Sequence, residues 1–266
     1  MNKTELLRSL AQNEEDRLLL AQALDKLETC RERSYLTHTR FLDLRQRTLV
    51  ARLIEKAGAR GEVVLWGGYP DAERVCALFY PDYMTAGDAC DPENAPFTLL
   101  HARKSPSDAL SHRDYLGALM GLGVERAVIG DILVHDGGAE ILVMADMAEY
   151  IEANFLKAGR KQLSLDAAPL RELIVPPVQE IVREGSVASL RLDSVTALIF
   201  GISRTQAQEA VEKGLVFVNQ MQVLKNEHPL APGDRITLRG HGRARIEALG
   251  GVSRKGRQFL RYARSV

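Results

Sequence analysis

The sequence predicts a mixed α/β (α+β) protein built from three modules. Its 266 residues exceed what one small core usually needs. Helical and strand-like apolar periodicities alternate along the chain, and residues 84–96 are rich in Gly, Pro, Asp and Asn. Together with the proline pair at 176–177, these observations place the modules at residues 1–92, 93–175 and 176–266.

The first module is predicted to be an N-terminal α/β domain. Residues 14–31 and 43–57 have helical apolar spacing, and Gly58 ends the second helix. Residues 62–68 form a buried strand that runs into a glycine turn, and residues 74–81 form a second strand closed by Pro81.

The second module follows the order β-α-β-β-α-β, which predicts a ferredoxin-like plait, similar in topology to the RNA-recognition motif. The predicted elements are strand 97–103, helix 111–122, strand 127–134, strand 139–145, helix 146–159 and strand 160–169. Many plaits bind RNA by stacking bases on aromatic side chains of the central strands. Here those strands offer only Phe97, so RNA contact by such a stacking platform is not expected.

The third module is predicted to pair two short helices with a hairpin. After a strand at 179–189, residues 191–200 form a helix with Asp193 as its N-cap. Ser203 and Gln206 have the spacing of a capping box at the start of the next helix. Gly214 ends that helix in a left-handed turn, and residues 215–219 form a strand.

The two helix starts lie close together and each is suited to a phosphate. Unpaired backbone N–H groups and the positive end of the helix dipole favour anions there. Because Arg191 and Arg204 stand at these starts, we expect both to face outward on one side and meet RNA phosphates. Inward pairing of the two arginines with buried carboxylates would contradict this arrangement.

The net charge of zero hides a split between the ends of the chain. Residues 191–266 hold 13 Lys and Arg against 6 Asp and Glu, whereas residues 1–190 hold 22 against 29. From Arg239 onward there are 8 basic residues and a single acid, Glu247. Such a basic stretch on an otherwise acidic chain indicates a polyanion partner, although a solvated tail is the alternative.

The string from residue 190 to 240, RLD…SR..A…V..G.V.VN…PGD.I, resembles the RNA-binding domain named for small-subunit ribosomal protein four, here called the S-four domain. In that family the paired helices lie against structured RNA. The resemblance places Arg191, Asp193, Ser203, Arg204, Gln208, Lys213 and Asn219 at motif positions. It implies phosphate contacts from Arg191, Arg204 and Lys213, caps at Asp193 and Ser203, and a hairpin role for Asn219.

The rest of the chain is similar to the YlmH family. The stretches that carry this resemblance are TRFLDLRQ at 39–46, GGYPDAERV at 67–75, LSHRDYLGALMGLGVERAVIGDILV at 110–134, RGHGRARI at 239–246 and SRKGR at 253–257. The resemblance implies binding to the large ribosomal subunit, through ribosomal RNA and tRNA, in the rescue of stalled nascent chains. His241 stands where an aromatic residue such as Phe is expected, and its imidazole can also stack.

The predicted RNA-binding residues therefore include a C-terminal set besides the helix pair. This set is Arg239, Arg243, Arg245, Arg254, Lys255 and Arg257, with secondary contacts at His112, Arg113 and His241. The run Ser111–Asp114 looks like a nucleophile set, but adjacent residues on one helix point in different directions. A capped helix start with Ser111 and Asp114 fits it better.

An enzymatic alternative comes from RLDSVT itself, which resembles the RLDxxTxG loop of pseudouridine synthases, with Asp193 as nucleophile. Leu198 stands where that loop has glycine, and only 70 residues follow Thr196. We therefore expect a binding protein without catalytic residues. A third class, a protein-interaction scaffold linked to cell division, predicts partners that persist after nuclease treatment.

No cofactor or metal is expected. The three cysteines, Cys30, Cys76 and Cys90, have no metal-like spacing and are predicted to be ordinary packing residues of a reducing compartment. No window approaches the roughly 18 apolar residues of a membrane span. A cytoplasmic monomer is the expectation.

Overall fold

The computed structural model describes residues 3–177 and 179–265. They form two compact units, divided between Pro176 and Pro177. Helices and antiparallel sheets occur in both units, which confirms the predicted α/β (α+β) class. The finer division of the first unit at residues 92 and 93, and with it the three-module scheme, stays a prediction.

The beginning of the first unit packs three helices beside a three-stranded sheet. Asn13 caps the second helix, and Asp43 forms a capping box with Gln46 at the third. The predicted linker at 84–96 contains one short helix. The elements are α1 (Lys3–Leu10), α2 (Glu14–Arg33), β1 (Thr37–His38), α3 (Leu44–Lys56), β2 (Val63–Trp66), β3 (Cys76–Phe79) and α4 (Ala86–Ala89), with sheet order β1-β3-β2.

The remainder of the first unit has the predicted β-α-β-β-α-β order. Its elements are β4 (Phe97–Lys104), α5 (His112–Gly121), β5 (Ile129–His135), β6 (Gly138–Met144), α6 (Ala145–Asn154), β7 (Lys157–Ala158) and β8 (Lys161–Ala168). The sheet order is β5-β6-β4-β8-β7, which places the first and third long strands side by side in the centre. This is the ferredoxin-like arrangement, with the two-residue strand β7 added at its edge. Short 3-10 turns lie at Arg60–Glu62, Arg126–Val128 and Leu170–Glu172.

The second unit is one antiparallel sheet carrying two helices. Its elements are β9 (Glu180–Val187), α7 (Leu192–Phe200), α8 (Arg204–Glu212), β10 (Val216–Val218), β11 (Met221–Gln222), β12 (Arg235–Leu238), β13 (Gly242–Val252) and β14 (Gln258–Ser265). The sheet order is β11-β10-β12-β13-β14-β9. The basic C-terminal stretch is therefore the β13–β14 hairpin inside the sheet, and the alternative of a solvated tail is wrong.

The helices cover one face of this sheet because apolar residues alternate along the strands. Val195, Ile199 and Val211 from the helices pack with Val216 and Ile236 from the strands. Gly185 lies so close to Leu198 of α7 that an added Cβ would come within 2.8 Å of its side chain. On the side of β12 and β13 away from the helices, Arg235, Arg243 and Arg245 are exposed.

Among the described residues, no helix is long and apolar enough to cross a membrane. The same part of the chain contains no cluster of His, Cys, Asp and Glu arranged to hold a metal ion. Cys30 and Cys76 are buried and Cys90 is half-buried, and burial raises the pKa of all three thiols.

Candidate nucleic-acid interface

The two helix starts of the second unit are built differently. Helix α8 has the predicted capping box: the Gln206 N–H donates to Ser203 Oγ at 3.1 Å, and Gln206 Oε1 accepts from the Ser203 N–H at 2.9 Å. Helix α7 has Arg191 at its N-cap position and no side-chain cap. The prediction of Asp193 as N-cap is wrong, because Asp193 already lies in the first turn and its carboxylate accepts the N–H of Ser194 at 2.9 Å.

Asp193 is instead the centre of a buried charge cluster. Its side chain is 0% exposed, and three long side chains from both helices donate to it. Arg191 Nε lies 3.1 Å from Oδ1, whereas Arg204 Nε and Gln208 Nε2 each lie 3.1 Å from Oδ2. We call these four residues the Asp193 cluster. It ties the start of α7 to the first two turns of α8.

The cluster keeps Asp193 ionised despite its burial. Burial by itself raises the pKa of this carboxyl, but hydrogen bonds from Arg191, Gln208 and Arg204 outweigh that effect, and the pKa is lowered below its ordinary value of 3.8. The same contact raises the pKa of the Arg191 guanidinium, with a smaller contribution from Glu227.

Both arginines therefore show the inward pairing with a buried carboxylate that contradicts the predicted arrangement, and the expectation that both face outward to meet phosphates is wrong. Arg191 donates to Asp193 and also to Glu227 Oε1 at 3.2 Å, so its charge is shared between two carboxylates. Asp193 cannot touch RNA, because no atom of its side chain reaches the surface. Arg204 bonds Asp193 through Nε alone among the described contacts, and its side chain is 55% exposed. Its two terminal nitrogens therefore remain available to an anion.

The other predicted residues of the helix pair are Ser203, Gln208 and Lys213. Gln208 is part of the Asp193 cluster, and Ser203 is exposed at the start of α8. Lys213 is exposed but lies 2.9 Å from Glu209, which reduces its effective charge. The structure therefore brings Arg191, Asp193, Ser203, Arg204 and Gln208 together at one end of the helix pair.

A tight hairpin behind the helices holds their angle. Gly214 has φ of +69°, the left-handed conformation that favours glycine after a helix. Asn219 and Gln220 have φ of 50° and 66°, as a two-residue hairpin turn requires. The Asn219 amide donates to Asp234 at 2.8 Å and accepts the N–H of Arg235 at 3.0 Å. The hairpin role predicted for Asn219 is confirmed.

The predicted C-terminal residues are all exposed but do not form one group. Arg239 and His241 lie in the turn between β12 and β13, and Arg243 and Arg245 lie on β13. Arg254 and Lys255 lie in the β13–β14 turn. Arg257 is tied to β9, since its guanidinium donates to the hydroxyl and the carbonyl of Ser186.

His112 and Arg113 belong to the first unit, in the first turn of α5, and both are exposed. Ser111 donates to Asp114 through its N–H and its hydroxyl, each at 2.7 Å, which makes this run a helix start. Desolvation, followed by the charge of Arg126, lowers the pKa of His112. The lowered pKa favours the neutral ring, which is a poorer partner for a phosphate than a charged one.

Sequence reasoning missed two residues of this region. Glu227 binds Arg191 across 36 positions of the chain, and Arg235 stands opposite Arg245 in the sheet. No sequence signal indicates the Glu227 contact. The Arg235 pairing would follow from the register of β12 and β13, which the sequence alone does not determine.

A pair of short helices, of which α8 starts with a capping box, is backed by a hairpin and organised around a buried Asp–Arg cluster, and this arrangement defines a protein with an S-four-type domain. The family model described as "S4 domain" matches residues 190–236. A second model, described as "Putative RNA-binding domain in YlmH", matches residues 102–172 and covers most of the plait.

The chain belongs to the YlmH family. It is 33% identical over 250 residues to the "Ribosome-associated protein quality control protein P2" of Bacillus subtilis (strain 168), across 94% of this chain and 95% of that protein. A solved structure described as "Cell division protein ylmH from Streptococcus pneumoniae" is 26% identical, with a TM-score of 0.48. It covers 62% of this chain and 97% of that chain.

Proposed function

We propose that this protein is a non-enzymatic RNA-binding factor of ribosome-associated quality control. In this role it binds the large ribosomal subunit, through ribosomal RNA and a peptidyl-tRNA, and stabilises the stalled complex without making or breaking a bond. The Asp193 cluster is the observation that supports this most strongly. It anchors Nε of Arg204 at the capped start of α8, while 55% of the Arg204 side chain stays exposed.

The likeness to the B. subtilis quality control protein extends over nearly both chains, which supports a shared setting on the ribosome. A cytoplasmic location follows from that setting. The specific choice of large subunit and peptidyl-tRNA rests on the family resemblance carried by residues 39–46, 67–75, 110–134, 239–246 and 253–257.

The burial of Asp193 favours binding over catalysis. A pseudouridine synthase would need this carboxylate to reach a uridine, but its side chain is 0% exposed and is held by two guanidiniums and an amide. Mapping of RNA modifications with and without the protein tests this. A uridine modification that vanishes in Asp193→Asn would contradict the non-enzymatic role.

Sedimentation of tagged protein with ribosomal fractions tests the proposed partner. We expect the protein in the large-subunit fraction at low salt and its steep release as salt rises, because phosphate contacts displace counterions. Partners that persist after nuclease treatment, with no ribosomal fraction, would instead favour the scaffold alternative.

Replacement of the two arginines tests the face itself. Arg204→Ala should weaken RNA binding by about 1–3 kcal/mol, as expected for a charge-assisted phosphate contact. Arg191→Ala should weaken it less, because Arg191 is already shared between Asp193 and Glu227. Arg33→Ala, an exposed arginine of the first unit, is the matched control. Unchanged affinity in both interface variants would count against this face.

A further inference from the structure

Three arginines of the second unit lie together on the face of the sheet that the helices do not cover. On β12 and β13, the alternate residues Ile236, Leu238, Ala244 and Ile246 are buried in the core with the helices. Because side chains alternate between the faces of a strand, Arg235, Arg243 and Arg245 point to the opposite side. All three are exposed. We call them the sheet-face arginines.

The strand register places like charges directly opposite each other. Arg235 is the cross-strand partner of Arg245, and Thr237 is the partner of Arg243. Directly opposed side chains have Cβ atoms only about 5 Å apart, and like charges in such pairs destabilise a sheet. Arg243 is two residues from Arg245 on the same face, which adds a third positive charge about 7 Å away.

Nearby carboxylates neutralise Arg245 only weakly. Arg245 lies 3.5 Å from Glu180 and 3.7 Å from Glu247, and Glu247 is already engaged by Arg261 at 2.9 Å. Arg243 has no hydrogen bond or ion pair among the described contacts. Arg239 and His241, in the adjoining turn, are also exposed and continue the basic row.

Such a row is suited to a polyanion. A single bound ion would satisfy one guanidinium, whereas the repeating phosphates of a nucleic-acid strand can meet several side chains along two strands. Among the described residues of this face, the exposed aromatic Phe259 lies on β14, four residues from the strand partner of Arg245, and none lies between the sheet-face arginines, so phosphate contact rather than base stacking is expected at these arginines. The geometry thus indicates recognition of the backbone without recognition of sequence.

We propose that the sheet-face arginines bind the sugar–phosphate backbone of a second RNA segment, separate from the one at the helix pair. This inference rests on the proposed RNA-binding function. The helices lie on the other face of the same sheet, so Arg204 and the sheet-face arginines cannot contact one short stretch of RNA together. The second unit therefore holds two RNA segments at once.

The test is titration of the full chain with a short RNA hairpin, followed by affinity measurements for large-subunit ribosomal RNA at several salt concentrations. The wild-type chain should bind two hairpins, and the double variant Arg243→Gln, Arg245→Gln should bind one. The slope of log affinity against log salt should become shallower by about 2, close to one for each lost phosphate contact. Lys26→Gln, Arg33→Gln, with the same change of charge on the first unit, should leave both values unchanged.

Thermal unfolding without RNA separates this role from a structural one. The double variant should unfold at the same temperature as the wild type or higher, since like-charge repulsion is removed. A lower unfolding temperature together with a stoichiometry of two would assign these arginines to stability and overturn the proposal. The proposal would also be overturned if the wild-type chain binds ribosomal RNA and the double variant shows the same slope of log affinity against log salt. If the wild-type chain binds no RNA at all, the proposed RNA-binding function is wrong, and the second RNA site, which depends on that function, is wrong too.

Discussion

At the scale of single residues, one carboxylate organises the candidate interface. Asp193 is fully buried, yet hydrogen bonds from Arg191, Gln208 and Arg204 keep it ionised. Breaking one partner of a buried ion pair leaves an uncompensated charge, which costs more than the pair contributes when intact. Asp193 therefore anchors Arg204, and in the proposed function it acts on RNA only through that side chain.

Asp193→Asn should lower the stability of the second unit by about 1–3 kcal/mol, a value reduced from that of a fully buried pair because both arginines are partly exposed. Hydrogen exchange of the amides in α7 and α8 measures this directly. RNA affinity should fall too, because Arg204 loses its anchor. Glu209→Gln, which alters only the exposed pair with Lys213, is the control and should change exchange little. If amide exchange in α7 and α8 is the same in Asp193→Asn as in the wild type, the Asp193 cluster does not stabilise the helix pair.

The same cluster predicts an acid-sensitive contribution to stability. The pKa of Asp193 is lowered in the folded state, so the contribution is fully present above the unfolded pKa of about 4 and is lost as pH falls through the folded pKa. The difference in unfolding free energy between wild type and Asp193→Asn should therefore be constant near neutral pH and shrink below about pH 4. Urea unfolding from pH 3 to 7 measures it, and a constant difference would contradict the lowered pKa.

At the scale of elements, turn residues determine where strands and helices end. Gly138 begins β6 with φ of +151°, and an added Cβ would lie 1.9 Å from the backbone carbonyl oxygen of Ala102 on the neighbouring strand. Its neighbour Gly137 has only the imidazole of His135 nearby, at 3.2 Å. The close approach of the neighbouring backbone therefore requires glycine at position 138 but not at position 137.

Gly138→Ala should destabilise the first unit by about 2–4 kcal/mol, since the strands β4 and β6 must separate to admit the methyl group. Gly137→Ala should cost less than about 1 kcal/mol, because a side chain can move aside. Urea unfolding followed by tryptophan fluorescence checks both, with Trp66 as the single tryptophan of the chain. Equal stability of the two variants would mean that β4 and β6 do not pair as described.

Many of the helix ends, turns and the order of the elements could be predicted from short stretches of sequence. The capping box of Ser203 and Gln206, the turn at Gly214 and the order of the plait are all visible in neighbouring residues, and the structure has them. The α7 cap was mispredicted because an Asp before an apolar run resembles an N-cap whether or not it is one. The pairing of Arg191 and Arg204 with Asp193 depends on how two helices cross, which residue spacing does not reveal.

At the scale of the whole molecule, charge is divided between acidic and basic parts of the chain. Residues 191–266 carry the positive excess, and the sheet of the second unit distributes it over both of its faces. The sequence indicated a polyanion partner and left a solvated tail open as the alternative. Formation of the β13–β14 hairpin and its pairing with β9 involve long-range contacts that composition does not encode.

Photocrosslinking from the start of α8 tests the central claim, RNA binding by the helix pair, most directly. A photoreactive residue replaces Thr205, which is exposed beside Arg204, and the protein is mixed with large subunits carrying peptidyl-tRNA. We expect crosslinks to large-subunit ribosomal RNA or to the tRNA, with a lower yield when Arg204→Ala is added. Crosslinks to ribosomal proteins alone, or an RNA yield that does not depend on Arg204, would contradict the account.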